Sequence, residues 1–290
     1  MDWIYFAFLT AIFNASASLT QKKVLFKQHA LEFAFILSIF NFIISIPLFL
    51  TIDYSKITFL PIFFTFFVTF IAAVAFLLIA KSVRHLEVSE SSPLLVIGPG
   101  ITAILAFAIL GETLTLVQII GILLLIVGAY ALEMRKHVSI FEPFEILKKS
   151  RYAHYILFAL VLYSITGVFD KIVTSRMGLN INTYIAFVHL FLLFHFFIFV
   201  KFFKFDLKEM FNHIKINGWL ILVVAFFTVG YRYSSVLAIR DGNVGLVSAI
   251  KRSSAFLVVL VGGELFHEHN LMRKIIACCI LILGVILIVI

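Results

Sequence analysis

Apolar residues run along this chain in blocks of about twenty, separated by short polar connections. Ile57–Ala80 holds 24 residues without an Asp, Glu, Lys or Arg, and 33–52, 91–111 and 113–132 are only slightly shorter. A helix rises 1.5 Å per residue, so about 20 apolar residues cross the hydrocarbon of a bilayer. The pattern predicts an all-α, polytopic membrane fold. Ten helical spans fit it, at about 3–21, 33–52, 57–80, 88–110, 113–132, 153–174, 181–202, 217–238, 244–262 and 271–290. One connection, 133–152, is longer, and its Phe141, Phe144 and Ile146 suit the membrane interface.

That long connection divides a repeat. Gly111-Glu112 follows span four and Gly263-Glu264 follows span nine, 152 residues later. QIIGILLLIVGAYAL at 118–132 aligns with KIIACCILILGVILI at 274–288, and Gln21-Lys22 aligns with Asp170-Lys171. The chain therefore reads as a first repeat at 1–135, a connecting loop at 136–152 and a second repeat at 153–290. Five spans per repeat make the second copy enter the membrane in the opposite sense, an inverted repeat.

Polar residues inside the spans form stripes at helical spacing. They are Thr10, Asn14, Ser18 and Gln21 on span one, Tyr163, Thr166, Asp170 and Lys171 on span six, Thr228, Arg232 and Ser235 on span eight, and Gly245, Ser248, Lys251 and Arg252 on span nine. A charge at the centre of a membrane helix costs at least roughly 2.5–3.5 kcal/mol, so these stripes face helices or water rather than lipid. At 1.5 Å per residue, Asp170 lies about 6 Å, Arg232 about 9 Å and Lys251 about 11 Å from one side of the membrane. They are expected to share a patch whose surplus of cations suits a carboxylate or phosphate. The candidate binding residues are Lys251, Arg252, Ser248, Arg232, Tyr163, Asp170, Asn14 and Ser18.

The first half offers a mixed-charge group near the other side, and Glu90, Lys22, Lys81, Arg84 and, in the second half, Lys171 are candidate gate residues. The plain alternative for Lys22, Lys23, Lys81 and Arg84 is snorkelling to the headgroups. Pro93, Gly98 and Pro99 interrupt span four and are candidate hinge residues. Glu112 and Glu264 read as turn or cap residues, and His189 and His195 as packed side chains. His267-Glu268-His269 lacks the spacing that puts two His on one helix face, so neither metal nor cofactor is expected.

Composition agrees: 63% of residues are hydrophobic and 13% charged. The net charge of +8 reflects Lys and Arg in connections and not nucleic-acid binding. Sixteen Lys and Arg lie in or beside the connections after odd-numbered spans and four after even-numbered ones. The positive-inside rule then puts the odd connections in the cytoplasm. Cys278-Cys279 is too close for an ordinary disulfide, and the N-terminus lacks the basic region of a removable signal.

The ten spans, the inverted five-span repeat and the two Gly-Glu turns resemble the EamA-type branch of the drug/metabolite transporter superfamily. The block RYSSVLAIRDGNVGLVSAIKRSSAFLVVLVGGELFHE at 232–268 carries the resemblance best. It implies a cavity lined by helices one, three, four, six, eight and nine. It also implies a hinge in span nine weakened by Ala249, where many members carry Pro. The function expected is secondary transport, as an exporter, of a small polar, anionic or zwitterionic metabolite such as an amino acid. A sugar-phosphate or nucleotide-sugar exchanger is the near alternative, and a membrane enzyme acting on lipid or polyprenyl phosphate the distant one. No P-loop motif occurs, so ATP is not expected to drive transport directly; an ion gradient, with a proton as a candidate coupling ion, or a substrate gradient is expected to do so. The expected setting is the inner or plasma membrane, as monomer or homodimer.

Overall fold

The computed structural model describes residues 2–25, 30–86, 94–133, 147–205, 207–258 and 271–290. Among the described residues, the principal α-helices are α1 (Asp2–Leu25), α2 (Ala30–Phe49), α3 (Phe59–His85), α4 (Gly98–Leu110), α5 (Leu116–Glu133), α6 (Arg151–Lys171), α7 (Ile181–Phe202), α8 (Leu207–Asp241), α9 (Val244–Arg252) and α10 (Leu271–Val289). No strand occurs among the described residues. Helices α1, α2, α3, α6, α7 and α8 are long and apolar enough to cross a membrane; α4, α5 and α10 are apolar but shorter, and α9 is shorter still.

Large apolar side chains face outward, as a lipid solvent requires. On α3, Phe59, Phe63, Phe67 and Phe70 follow one exposed stripe, while Thr65, Thr69, Ala72, Ala73 and Ala75 are buried. The buried hydroxyls bond within their own helix: Thr65 donates to the Pro61 carbonyl at 2.7 Å and Ser38 to that of Phe35 at 2.6 Å. Small residues inside let backbones approach, and hydroxyls returned to the preceding turn leave no open donor.

The helix pairs follow a rule. Exchanging each helix of the first half with the one five places later carries the main contacts onto one another: α1·α8 onto α3·α6, α2·α8 onto α3·α7, and α4·α6 onto α1·α9. The pairs α2·α7, α4·α9 and α5·α10 map onto themselves. The α5·α10 pair shows the symmetry at atomic scale. A Cβ on Gly121 would lie 2.8 Å from the Gly284 carbonyl oxygen, and one on Gly284 the same distance from that of Gly121. A Cβ on Gly284 would meet the Leu125 nitrogen at 2.9 Å, and one on Gly128 the Leu281 nitrogen at 2.9 Å. Position 121 faces 284 while 128 faces 277 and 281, so the two helices run antiparallel. The 156-residue offset read from the sequence pairs these same positions.

One face of the bundle, here the terminal face, gathers the start of α1 and the ends of α2, α4, α6 and α8: Gly242 packs on the Trp3 ring, and Asn182 donates to Thr51. The opposite face holds the end of α3 and the start of α6, where His85 stacks on Tyr152 at 4.2 Å.

Two helices are broken. Before α4, Val96 and Ile97 form a turn, and Pro99 sits in the first helical turn, where its missing N–H leaves no bond unmade. Pro99 and Gly98 thus start a helix rather than bend one; Pro93 lies outside the described residues. Span nine breaks as well, while Ala249, where the resemblance implied a weaker hinge, lies within α9. The chain turns at Ser253, directly after Lys251-Arg252, and continues helically over 254–258. The Ser253 hydroxyl donates to the Ile250 carbonyl at 2.6 Å, and Asn14 donates to Ser254 at 2.9 Å. Two serines supply what no proline does.

The seam yields a test. Gly121→Ala, Gly128→Ala and Gly284→Ala each push a methyl against the opposing helix, and overpacking of this kind costs about 1–3 kcal/mol. We expect all three to lower the thermal unfolding midpoint in detergent by similar amounts. Gly100→Ala, whose new carbon would stand 3.4 Å from a flexible Ile126 methyl, is expected to leave it unchanged.

Candidate functional site

Three structures within the bundle bear on function: a clamp at the terminal face, a vestibule beside it and a polar cavity toward the opposite face.

The clamp begins with Gly111. At φ 71° it ends α4 in the left-handed conformation, and its N–H and that of Glu112 return to the Phe107 and Ala106 carbonyls. This turn aims Glu112 sideways. Its Oε1 accepts from Lys171 Nζ at 2.5 Å, and its Oε2 accepts from the Val244 N–H at 2.8 Å. Val244 opens α9, so Glu112 caps a helix other than its own, where the helix dipole favours an anion. Lys171 also donates to the Gly242 carbonyl at 2.9 Å. One carboxylate thereby ties α4, α6, α8 and α9 together, with both side chains largely buried.

The vestibule, about 650 Å³, is lined by Thr51, Asp53, Lys56, Asn180, Tyr233 and Arg240, among others. Hydrogen bonds from Lys56 and Ser55 pull the exposed Asp53 carboxyl down to about 2. Tyr233 donates to Asn182 at 2.6 Å, and Asn182 to Thr51 at 3.0 Å, joining α8, α7 and α2.

The cavity, about 160 Å³, reaches from Arg232 and Tyr231 toward Gln21, Ala34 and Phe76 at the other end of the bundle. Its walls come from α1, α2, α3, α6, α7 and α8. Expected residues found there are Asn14, Ser18, Tyr163 and Arg232. Helices α2 and α7 take the places foreseen for α4 and α9, whose small residues pack on each other: a Cβ on Gly245 would lie 2.8 Å from that of Ala103. Buried polar atoms without a partner converge on this cavity: Arg232 Nε and Nη2, both ring nitrogens of His189, and Asn41 Oδ1. A buried polar atom left unpaired costs on the order of 1–3 kcal/mol, so such a cluster needs a reason. Among the described residues, no Asp or Glu lines the cavity.

Behind Arg232 stands the rest of the expected patch. Asp170 is buried and accepts a hydrogen bond from Tyr184. The charges of Arg232 and Lys251 both act on it. Lys251 lies over the Tyr231 ring, 5.9 Å from its centroid. The structure thus brings Asp170, Arg232 and Lys251 together. Lys171 stands apart, in the clamp. Lys81 is exposed, 5.9 Å from the Tyr155 ring. Glu90, Glu264, His267 and His269 lie outside the described residues, as do the side chains of Lys22, Lys23 and Arg84. His195 packs as expected, with Nε2 3.2 Å from the Phe66 carbonyl and its ring against Phe66. Asn41 was missed as a cavity residue, though Ser38, Asn41 and Ser45 recur at helical spacing on α2; His189, read as a packed side chain, is buried and lines the cavity as well.

Comparison with known proteins places this geometry. The profile of the EamA-like transporter family matches residues 1–134 and 151–290. No curated protein matches the chain. A protein of known crystal structure shares the fold, with a TM-score of 0.71 at 12% identity over 99% of this chain and 96% of that one.

The clamp gives the expected outcome here. Glu112→Gln or Lys171→Met alone leaves the other charge largely buried without its partner, at a cost of about 3–5 kcal/mol. Each single variant is expected to unfold at lower temperature than the Glu112→Gln/Lys171→Met pair, measured by thermal denaturation in detergent.

Proposed function

The chain belongs to the EamA-like transporter family, and from that premise we propose that it is a secondary transporter, working as an exporter, for a small metabolite carrying a carboxylate or similar anion, an amino acid among them. The observation that carries this reading is the Arg232 guanidinium, which lines a cavity with no acid among its described residues and has two buried nitrogens without a hydrogen-bond partner. A carboxylate placed there makes charge-assisted bonds to atoms that otherwise have none. Lys251, behind Tyr231, adds to the positive potential. Asn41 Oδ1 and His189 offer positions for a donor on the same molecule, which suits a zwitterion.

The size of the cavity favours this reading over a nucleotide-sugar exchanger. Sites for drug-sized ligands run to about 300–1,000 Å³, well above the space between Arg232 and Phe76. Alternating access is the mechanism we propose, in ten spans arranged as two inverted halves. The antiparallel α5·α10 seam and the exchange rule among helix pairs support the inversion. The clamp at Glu112 holds the terminal face closed while the cavity extends toward the opposite face. The excess of Lys and Arg in the odd connections, which lie on that opposite face, favours a cytoplasmic location for it. Substrate then loads from the cytoplasm, the direction of an exporter.

The test is counterflow in proteoliposomes preloaded with L-serine, L-alanine, lactate or glucose 6-phosphate. The native protein is expected to exchange a labelled small carboxylate and not the sugar phosphate. Arg232→Gln removes charge-assisted bonds worth about 1.5–3 kcal/mol, so exchange should fall roughly tenfold to a hundredfold. No exchange of any probe by the native protein, or full exchange by Arg232→Gln, refutes the reading.

A further inference from the structure

Arg232 faces two ways. It lines the cavity, and its buried Nε and Nη2 have no hydrogen-bond partner, while its charge also acts on Asp170 and Tyr184. The ion pairs among described residues are Lys56–Asp53, Lys171–Glu112 and Arg240–Asp241, so the Asp170 carboxylate has no salt-bridge partner. Its side chain holds one hydrogen bond, from the fully buried Tyr184 hydroxyl. An acid inside a membrane protein, supported by a nearby cation but not clamped to it, is suited to gaining and losing a proton.

The neighbours of Asp170 limit what can compete. On its own helix are Tyr163, at the cavity, and Lys171, committed to Glu112. Helix α7 brings Tyr184 and His189, α8 brings Tyr231 and Arg232, and α9 brings Lys251 and Arg252. Helix α4 carries no titratable group over Gly98–Leu110. The Lys81 and His85 side chains of α3 lie at the opposite face, near Tyr155 and Tyr152. Asp170 is therefore the sole acid within this cluster of described residues. The chain also leaves regular α-helix immediately after Lys171: Ile172–Arg176 form a π-helical turn, and Thr174 donates to the Asp170 carbonyl at 2.6 Å. Such turns often mark functional positions in helices.

In a low-dielectric interior, two anions beside one guanidinium weaken each other's hold on it. With the cavity empty, Arg232 supports the Asp170 carboxylate. When a substrate anion bonds to Arg232, a second negative charge arrives a side chain away from the first. A proton on Asp170 removes the conflict: one O–H bond forms on the carboxylate, the anion takes its place as counter-ion, and the formal charge of the cluster is unchanged. We propose that Asp170 is a proton-binding site linked through Arg232 to the cavity, so that one proton enters with each anionic substrate. The inference rests on the transport reading above and adds the coupling ion, its carrier and its stoichiometry.

The experiment measures both ligands on the whole protein. Purified protein in weakly buffered detergent receives L-serine or lactate; bound anion is counted by equilibrium dialysis and protons taken up by a pH indicator. The native protein is expected to take up about one proton per anion bound, Asp170→Asn none, and Asp170→Glu to restore the ratio. The ratio does not depend on affinity, so weakened binding in a variant does not obscure it. Infrared difference spectra should show a protonated carboxyl band on anion binding that is absent in Asp170→Asn. Anion binding that depends on Arg232 but draws no proton, or draws as many in Asp170→Asn, overturns this inference and leaves the transport reading standing. Absence of Arg232-dependent binding for both probes overturns the two together.

Discussion

A guanidinium held among helices and left short of partners constrains everything around it. Arg232 cannot be supported by lipid, and among the described residues no carboxylate reaches it at ion-pair distance. The bundle therefore surrounds it with weaker help: the Asp170 charge, the Tyr184 hydroxyl and an open volume. Each of these has a structural origin. Asp170 is held where α6 passes into its π turn, Tyr184 is buried at the start of α7, and the volume exists because small residues from α1 and α2 meet there. A pocket filled with apolar side chains would strand the charge.

The clamp solves a related problem differently. Lys171 is the residue next to Asp170, yet it is fully committed, to one carboxylate and one carbonyl. Adjacent residues thus serve opposite ends: one cation is closed into structure, while the acid before it keeps a single hydrogen bond. The difference comes from the helix, since neighbouring residues point about 100° apart and reach different partners.

Much of this was legible in the sequence because membrane spans make charge conspicuous. Asp170, Arg232 and Lys251 stood out against apolar surroundings, and the repeat offset of 156 anticipated which positions of α5 and α10 are equivalent. Asn14, Ser18 and Tyr163 followed from stripes at helical spacing. What the sequence hid was of two kinds. Asn41 and His189 are polar residues on Phe-rich helices, and whether such a residue is satisfied depends on what packs opposite. The pairing of Glu112 with Lys171 spans 59 residues and depends on Gly111 turning the side chain sideways. The break at Ser253 lacks proline and glycine, and only the serine pair Ser253-Ser254 hinted at it.

The seam between α5 and α10 has a consequence for how such a chain arises. Gly121 with Gly128 on one side and Ala277 with Gly284 on the other are the same surface presented twice, in antiparallel register. A single five-helix half already carries both members of that contact. Two separate copies, inserted in opposite senses, would find in each other a fitting partner without any new residue. Fusion through the 136–152 connection fixes the ratio at one to one and frees each copy to diverge, so that Gln21 can stand where its counterpart holds Asp170. The joint keeps its small residues in both halves, Gly121 and Gly128 in one and Ala277 and Gly284 in the other, while the polar positions around Arg232 differ between them.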